Sequence, residues 1–387
     1  MPLPSPAAVG MALAEVDTPA LLIDLDAFER NLRRMAEFAR TAGVGLRPHS
    51  KTHKSPIIAA KQMTLGAVGV CCQKVSEAEV MVDGGIADVL VTNEVAGSAK
   101  LDRLASLARR ARIAVCVDDP EGVAELQAAA AKADAQLHVL VEIDVGGRRC
   151  GVLPGAPAAR LAERIQRSPH LRFAGLQAYY GSAQHVREAR ERQARVAQAV
   201  EHVRETQAAL GAIGMRAQTV TGAGTGTYEN EAASGVYTEL QAGSYIFMDA
   251  DYARNKGGNG EPVDTFEHAL FVYATVMSAP APERLVVDAG LKAFAVDSGM
   301  PMPWRLPGAL YHRPSDEHGV IDATASRERP KRGDKVLLVP GHCDPTVNLH
   351  DWYVGVRGLG RAGSRSHVEC HVECHVECHV ECLWPVA

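Results

Sequence analysis

No stretch of this chain reaches the roughly 18 uninterrupted apolar residues that a membrane-spanning helix needs, although 47% of its 387 residues are hydrophobic. The apolar residues are therefore left to build cores, enough for one barrel-sized domain and a smaller second one. The start, Met1 to Pro6, lacks the basic and continuous apolar segments of a secretory leader, so a cytoplasmic protein is expected. Charge of one sign is missing as well. Forty-one Lys and Arg are interspersed with 46 Asp and Glu, for a formal net charge of -5, which offers no block for nucleic acid or an anionic membrane. Of the nine cysteines, Cys71, Cys72, Cys116 and Cys150 sit in or beside apolar runs and read as buried, reduced small hydrophobes rather than disulfide partners.

Short β-type runs alternate with amphipathic helical stretches from about residue 20 to 250. Strands are expected at 45–50, 67–71, 88–92, 113–117, 138–143, 173–178, 217–221 and 238–243, with helices such as Glu94–Ala111 and Pro120–Ala133 between them. Eight β/α units predict a closed (β/α)8 barrel. A doubly wound open sheet usually begins with a Gly-rich dinucleotide turn, and none follows the first strand. A further strand, Ala20–Asp26, precedes the eight. Beyond about residue 262 the runs 266–278, 284–288, 335–339 and 351–357 lack intervening helices and are separated by Pro- and Gly-rich turns. The expected plan is thus a barrel over 22–262 and an antiparallel β domain over 263–387 joined by 1–21.

Three clusters carry chemistry. Lys51, in Arg47-Pro-His-Ser-Lys-Thr-His-Lys54, stands at the end of the first barrel strand, where it can face the barrel mouth. A partly desolvated lysine there forms a Schiff base with an aldehyde cofactor; the plainer reading is a basic surface loop. Thr221-Gly-Ala-Gly-Thr-Gly-Thr227 and Gln241-Ala-Gly-Ser-Tyr245 follow the seventh and eighth strands. Small residues there let backbone N–H groups close on a phosphate, although ordinary tight turns look the same. In Pro340-Gly-His342-Cys-Asp344, extended chain would turn His342 and Asp344 the same way and Cys343 the other. Such a pair suits a hard or borderline divalent ion with open positions, or else a buried hydrogen-bonded pair. Four copies of His-Val-Glu-Cys occupy 367–382. Helical spacing would align Cys370, Cys374, Cys378 and Cys382 for a soft metal, but a single copy also reads as an amphipathic strand, and a duplication lengthening the last hairpin is the simpler expectation.

Taken in order, Arg47-Pro-His-x-Lys51-x-His-Lys54, Gln177-Ala-Tyr179, Thr221-Gly-x-Gly-Thr225-Gly, Tyr237-Thr-Glu-Leu-Gln-Ala-Gly-Ser-Tyr245, Asp288-Ala-Gly-Leu-Lys292 and His342-x-Asp344-Pro-Thr-x-Asn348 resemble the low-specificity D-threonine aldolases. These share with alanine racemase a pyridoxal-phosphate barrel joined to a β domain. The resemblance spans about Asp17 to Arg357. It implies that Lys51 carries pyridoxal phosphate, that Tyr179 and Arg149 lie beside it, and that Thr221, Gly222, Gly224, Thr225, Gly243, Ser244 and Tyr245 hold its phosphate. Gln241 would face the pyridine nitrogen where relatives place Arg or Glu, giving a weaker electron sink. Tyr180 stands where the family often has His.

The resemblance further implies a divalent metal at His342 and Asp344, Mn²⁺ first and Co²⁺, Mg²⁺ or Zn²⁺ after it. The metal acidifies the hydroxyl of a β-hydroxy D-amino acid, His185 takes the proton, and the Cα–Cβ bond breaks to give an aldehyde and glycine. As a lone histidine at a helix start, His185 also fits a cap. The alternative on the same scaffold is a zinc-dependent D-serine or 3-hydroxyaspartate dehydratase, whose metal is held by His-x-Cys; here Asp344 occupies the thiol position. A racemase would need a second acid/base pair, which is not apparent in this sequence; a pyridoxal-phosphate carrier would consist of the barrel alone, without the β domain; and a binding module without cofactor would be colourless. A homodimer is the expected assembly.

Overall fold

The computed structural model describes residues 4–359 and 378–387. Eight parallel strands form one sheet: Gly45–Leu46, Val70–Cys72, Asp88–Glu94, Arg112–Val117, Leu137–Glu142, Leu171–Gln177, Thr219–Gly222 and Glu239–Leu240. Neighbours run in chain order from Val70–Cys72 to Glu239–Leu240, and Gly45–Leu46 pairs with Glu239–Leu240. A parallel bridge between His49 and Cys71 joins the two ends and closes the barrel. All eight expected strands are present. The helix expected over Glu94–Ala111 covers Ser98–Leu107, because Glu94 still belongs to the preceding strand and Gly97, at φ +100°, breaks the path between them.

The alternation of side chains along parallel strands divides the barrel's apolar residues into two sets. Cys71, Leu90, Ala114, Cys116 and Leu140 pack together inside the barrel, whereas Val70, Val89, Val91, Ile113, Val115, Val139 and Val141 pack beneath the surrounding helices. Cys71, Cys72 and Cys116 are buried free thiols, as expected. Cys150 is not: it is half-buried on the loop after Leu137–Glu142, beside a carboxylate of Glu94.

The second sheet contains Leu270–Ala281, Arg284–Val287, Lys335–Val339 and Trp352–Val356, the strand Val380–Pro385 expected from the last repeat copy, and Met302–Pro303, Leu310–Pro314 and Gly319–Asp322, which the sequence patterns did not single out as strands. Ala20–Asp24 lies wholly in this sheet, antiparallel to Leu270–Ala281 and parallel to Trp352–Val356. A boundary at residue 22 would cut that strand. Val380–Pro385 pairs with Trp352–Val356, so the last repeat copy runs into the closing strand. His367, Cys370, His371, Cys374 and His375 lie outside the described residues. No described helix is long and apolar enough to cross a membrane.

Candidate active site

The C-terminal ends of the barrel strands open on a cleft lined in part by His49, Lys51, Arg149, Gln177, Tyr179, Gly224, Thr225, Gln241, Gly243 and Ser244. Lys51 sits on a single 3-10 turn, Ser50–Thr52, directly after the first strand. The basic-loop reading of its neighbours fails at Arg47, which is buried: its Nε donates to Glu239 at 2.8 Å and its Nη1 to Asp88 at 2.7 Å. The arginine thereby ties the first strand to two others beneath the cleft. Burial holds His49 neutral by pushing its pKa well down, and its ring bonds with Thr92 and Gln73 at 3.1 and 3.0 Å.

Opposite Lys51, Ala223 adopts φ +69°, turning the chain so that Gly224 and Thr225 border the cleft. The Thr225 hydroxyl is buried with no hydrogen-bond partner among the described residues. On the facing loop, a Cβ added at Gly243 would lie 2.6 Å from Thr52 Oγ1 and 2.9 Å from the His49 carbonyl oxygen. The orphaned, buried Thr225 hydroxyl at the edge of the cleft fits an anion such as a phosphate, and Gly243 lets the facing loop pack closely on the first strand's loop. Gln241 donates through Nε2 to Gln177 Oε1 at 2.7 Å and to Thr221 Oγ1 at 2.9 Å, so no ionised group faces the cleft at that corner. Arg149 lies 5.6 Å from the centre of the Tyr179 ring.

Three residues expected in the cleft do not line it. Thr221 is spent on Gln241, and Gly222 is packed where a Cβ would meet the Ala178 carbonyl at 2.5 Å. Tyr245 points into the apolar core, its hydroxyl accepting from Gln62 Nε2 at 3.2 Å. Tyr245 lies on the 3-10 turn Ser244–Ile246, whose side chains are buried.

At the mouth of the cleft the β domain supplies a carboxylate. Asp344 Oδ2 lies 2.5 Å from Lys51 Nζ, with the aspartate side chain 12% and the lysine side chain 38% exposed. The carboxylate raises the Lys51 pKa against the opposing effect of burial. Burial works against the ionised Asp344, but Lys51 and His342 outweigh it and hold the carboxyl well below the usual range. The local chain is not extended as expected: His342 caps a short helix, Cys343–Val347, and Asp344 stands in its first turn. Cys343 is fully buried in the core, its N–H donating to Asp249 at 3.1 Å. His342 Nδ1 is 3.0 Å from Asp297 Oδ2, which fixes the ring and leaves Nε2 for a metal. One imidazole nitrogen and one carboxylate fit a divalent ion with open positions.

His185 lines a neighbouring recess with Glu142, Asp144, Arg149 and Tyr179. Its Nδ1 is 2.5 Å from Asp251 Oδ2, and its ring stacks on Tyr252 at 5.5 Å. Burial opposes ionisation of Asp251, yet bonds from His185, Arg187 and Arg254 outweigh it and keep the carboxyl charged.

Residues 23–251 match the family described as alanine racemase, N-terminal domain, and residues 269–356 match the putative serine dehydratase domain. A D-threonine aldolase from Arthrobacter sp. is 50% identical over 92% of this chain and 93% of its own. A 3-hydroxy-D-aspartate aldolase from Paracoccus denitrificans (strain Pd 1222) is 49% identical over 91% of this chain and 92% of its own. The crystal structure of a D-threonine aldolase from Filomicrobium marinum superposes with a TM-score of 0.92 at 53% identity, covering 99% of this chain and 98% of that one. The chain belongs to the D-threonine aldolase family, within the fold-type III pyridoxal-phosphate enzymes.

Within this member of the family, sequence reasoning missed Asp249, Asp251, Asp297 and Glu142. Asp249, Asp251 and Asp297 lie tens of positions from the Cys343, His185 and His342 that they face, so no local pattern reveals these pairings; Glu142 faces Arg149 across the loop that follows its strand. Burial pushes Asp249 up to about 6 against the N–H groups of Tyr252 and Cys343. Tyr180, the departure from the family pattern, is buried and packs where a Cβ at Gly146 would touch its ring at 3.1 Å.

Proposed function

We propose that this chain cleaves D-threonine and other β-hydroxy D-amino acids to glycine and an aldehyde, with pyridoxal phosphate on Lys51 and a divalent cation, Mn²⁺ first, at His342 and Asp344. The observation that carries this reading is the 2.5 Å contact between Lys51 Nζ and Asp344 Oδ2, which puts the cofactor anchor beside a hard metal ligand. A thiolate ligand of the dehydratase kind is not offered, since Cys343 is fully buried on the far side. Its two aldolase relatives support the same choice.

Pyridoxal phosphate, when bound, would draw electrons from the substrate's Cα, and the cation would lower the pKa of a hydroxyl on the adjacent carbon. The protein's own residues do the rest. Gly224, Thr225, Gly243 and Ser244 hold the phosphate, and the neutral Gln241, braced by Gln177 and Thr221, moderates the electron withdrawal. Tyr179 and Arg149, stacked on each other at the cleft edge, would lie beside the cofactor. Asp297 orients His342, and Asp251 orients His185 so that its Nε2 is free to take the hydroxyl proton.

The barrel, from Leu25 to about 262, serves as the cofactor unit, and 263–387 with the N-terminal residues through Asp24, whose strand lies in the second sheet, as the metal-bearing unit. Buried free thiols at Cys71, Cys72 and Cys116 suit a reducing cytoplasm. Leu310, Met300 and Met302, 67%, 44% and 41% exposed, support a homodimer, to be checked by light scattering.

The test incubates the purified protein with D-threonine and D-serine, with chelator or added Mn²⁺. Glycine and acetaldehyde from D-threonine, lost on chelation, are expected; pyruvate from D-serine in their place would refute the reading. Lys51→Ala should remove both visible absorbance and turnover, whereas Asp344→Ala should keep the absorbance and lose turnover.

A further inference from the structure

Beside the recess that holds His185, four strand ends and loops bring together more negative charge than the protein neutralises. Glu94 ends the strand Asp88–Glu94, Asp118 follows Arg112–Val117, Glu142 ends Leu137–Glu142, and Cys150 lies on the next loop. One donor atom from each of Glu94, Asp118 and Cys150 lies within 4.8 Å of the others. Glu142 reaches the same place, since its carboxyl is within hydrogen-bonding range of Glu94. Glu142 is only 3% exposed. Its Oε1 is 3.9 Å from Arg149 Nη2, while its Oε2 and both Glu94 oxygens are buried without a hydrogen-bond partner. Asp118 accepts the Gly151 N–H at 3.0 Å through Oδ2.

We propose that Glu94, Asp118, Glu142 and Cys150 form a second divalent-cation site, selective for zinc-class ions. Three carboxyls and a thiol face one guanidinium, so a buried pair of glutamate oxygens is left to share a proton or accept a cation. The thiol decides which cation: Zn²⁺, Co²⁺ and Cd²⁺ accept mixed sulfur and oxygen donors, whereas Mg²⁺ and Ca²⁺ require oxygen alone. Metal–ligand lengths of about 2.0–2.3 Å would draw the donors inward. Burial and neighbouring carboxylates push Glu142 up to about 8 and Cys150 up to about 11, so binding releases protons. The ion would pin the loop that carries Arg149 onto Tyr179. This site shares no residue with the pair His342 and Asp344.

The test follows alkylation of Cys150 by iodoacetamide in the holoenzyme, with Zn²⁺ or with chelator, read by mass spectrometry on the tryptic peptide Cys150–Arg160. With Zn²⁺ at ten times its Kd, the free site and hence the rate should fall about tenfold. Protection should persist in His342→Ala and vanish in Asp118→Asn and Glu94→Gln. Equal rates with zinc and chelator, or protection that disappears in His342→Ala, would overturn the proposal. Crystals soaked in Zn²⁺ should show an anomalous peak between Glu94, Asp118 and Cys150; no peak there overturns it independently of any variant.

Discussion

Replacing Thr225 by Val separates what the hydroxyl does for the fold from what it does for the cofactor. Thr225 is 7% exposed and its Oγ1 has no partner among the described residues, so the cofactor-free protein carries a desolvated hydroxyl that a methyl group of the same shape would not. A buried unsatisfied polar group costs about 1–3 kcal/mol. Thr225→Val should therefore stabilise the cofactor-free protein by on the order of 1 kcal/mol, a rise in Tm of roughly 2 °C. With pyridoxal phosphate bound, the same hydroxyl donates to a charged oxygen, a bond of about 1.5–3 kcal/mol, so the variant should bind the cofactor about ten- to a hundredfold more weakly. The two effects have opposite signs. The assay strips the cofactor, measures urea unfolding, and then titrates pyridoxal phosphate back while following its visible absorbance. Thr225→Ser, which keeps the hydroxyl, should bind within a fewfold of wild type. An unchanged affinity, or a less stable cofactor-free Thr225→Val, would refute the assignment of this hydroxyl to the phosphate.

Gly243→Ala should raise the cofactor Kd about tenfold through an overpacking cost of about 1–3 kcal/mol, because the added Cβ meets the His49 backbone at 2.9 Å; Gly211→Ala, with nothing within 4 Å, should leave that Kd unchanged. Glu231 is buried, and burial pushes its pKa up to about 8, so its contribution to stability is fully present below the unfolded pKa near 4.5 and is lost as pH rises towards 8. Glu231→Gln should accordingly gain on wild type by on the order of 2 kcal/mol between pH 5 and pH 8 in urea unfolding; parallel stability curves would sink this. Asp251→Asn should lower kcat by about 10²-fold and shift the pH profile of kcat, with little change in the cofactor's absorbance, whereas a simple folding defect would lower Tm and leave the profile of the surviving activity unmoved.

The sequence by itself determined the architecture, because hydrophobic periodicity is local. Eight β-type runs with helices between them predict the barrel. The alternation within them accounts for Cys71 and Cys116 inside it, and the ordered motifs place Lys51 and Asp344 in one family. It failed where a strand is short and polar, as at Leu310–Pro314, with His312 and Arg313 in its middle, since such a strand is held by its neighbours rather than by its own pattern. The extended-chain argument for His342 and Asp344 gave a useful pairing for the wrong reason, because Asp344 lies in a helical turn. Only the tertiary structure decided that Tyr245 serves the core and Thr225 the cleft, and that Asp297 and Asp251 fix the two histidines. It alone gathered Glu94, Asp118, Glu142 and Cys150 into one cluster. These are contacts between residues tens to hundreds of positions apart, set by strand order and packing, and no spacing along the chain records them.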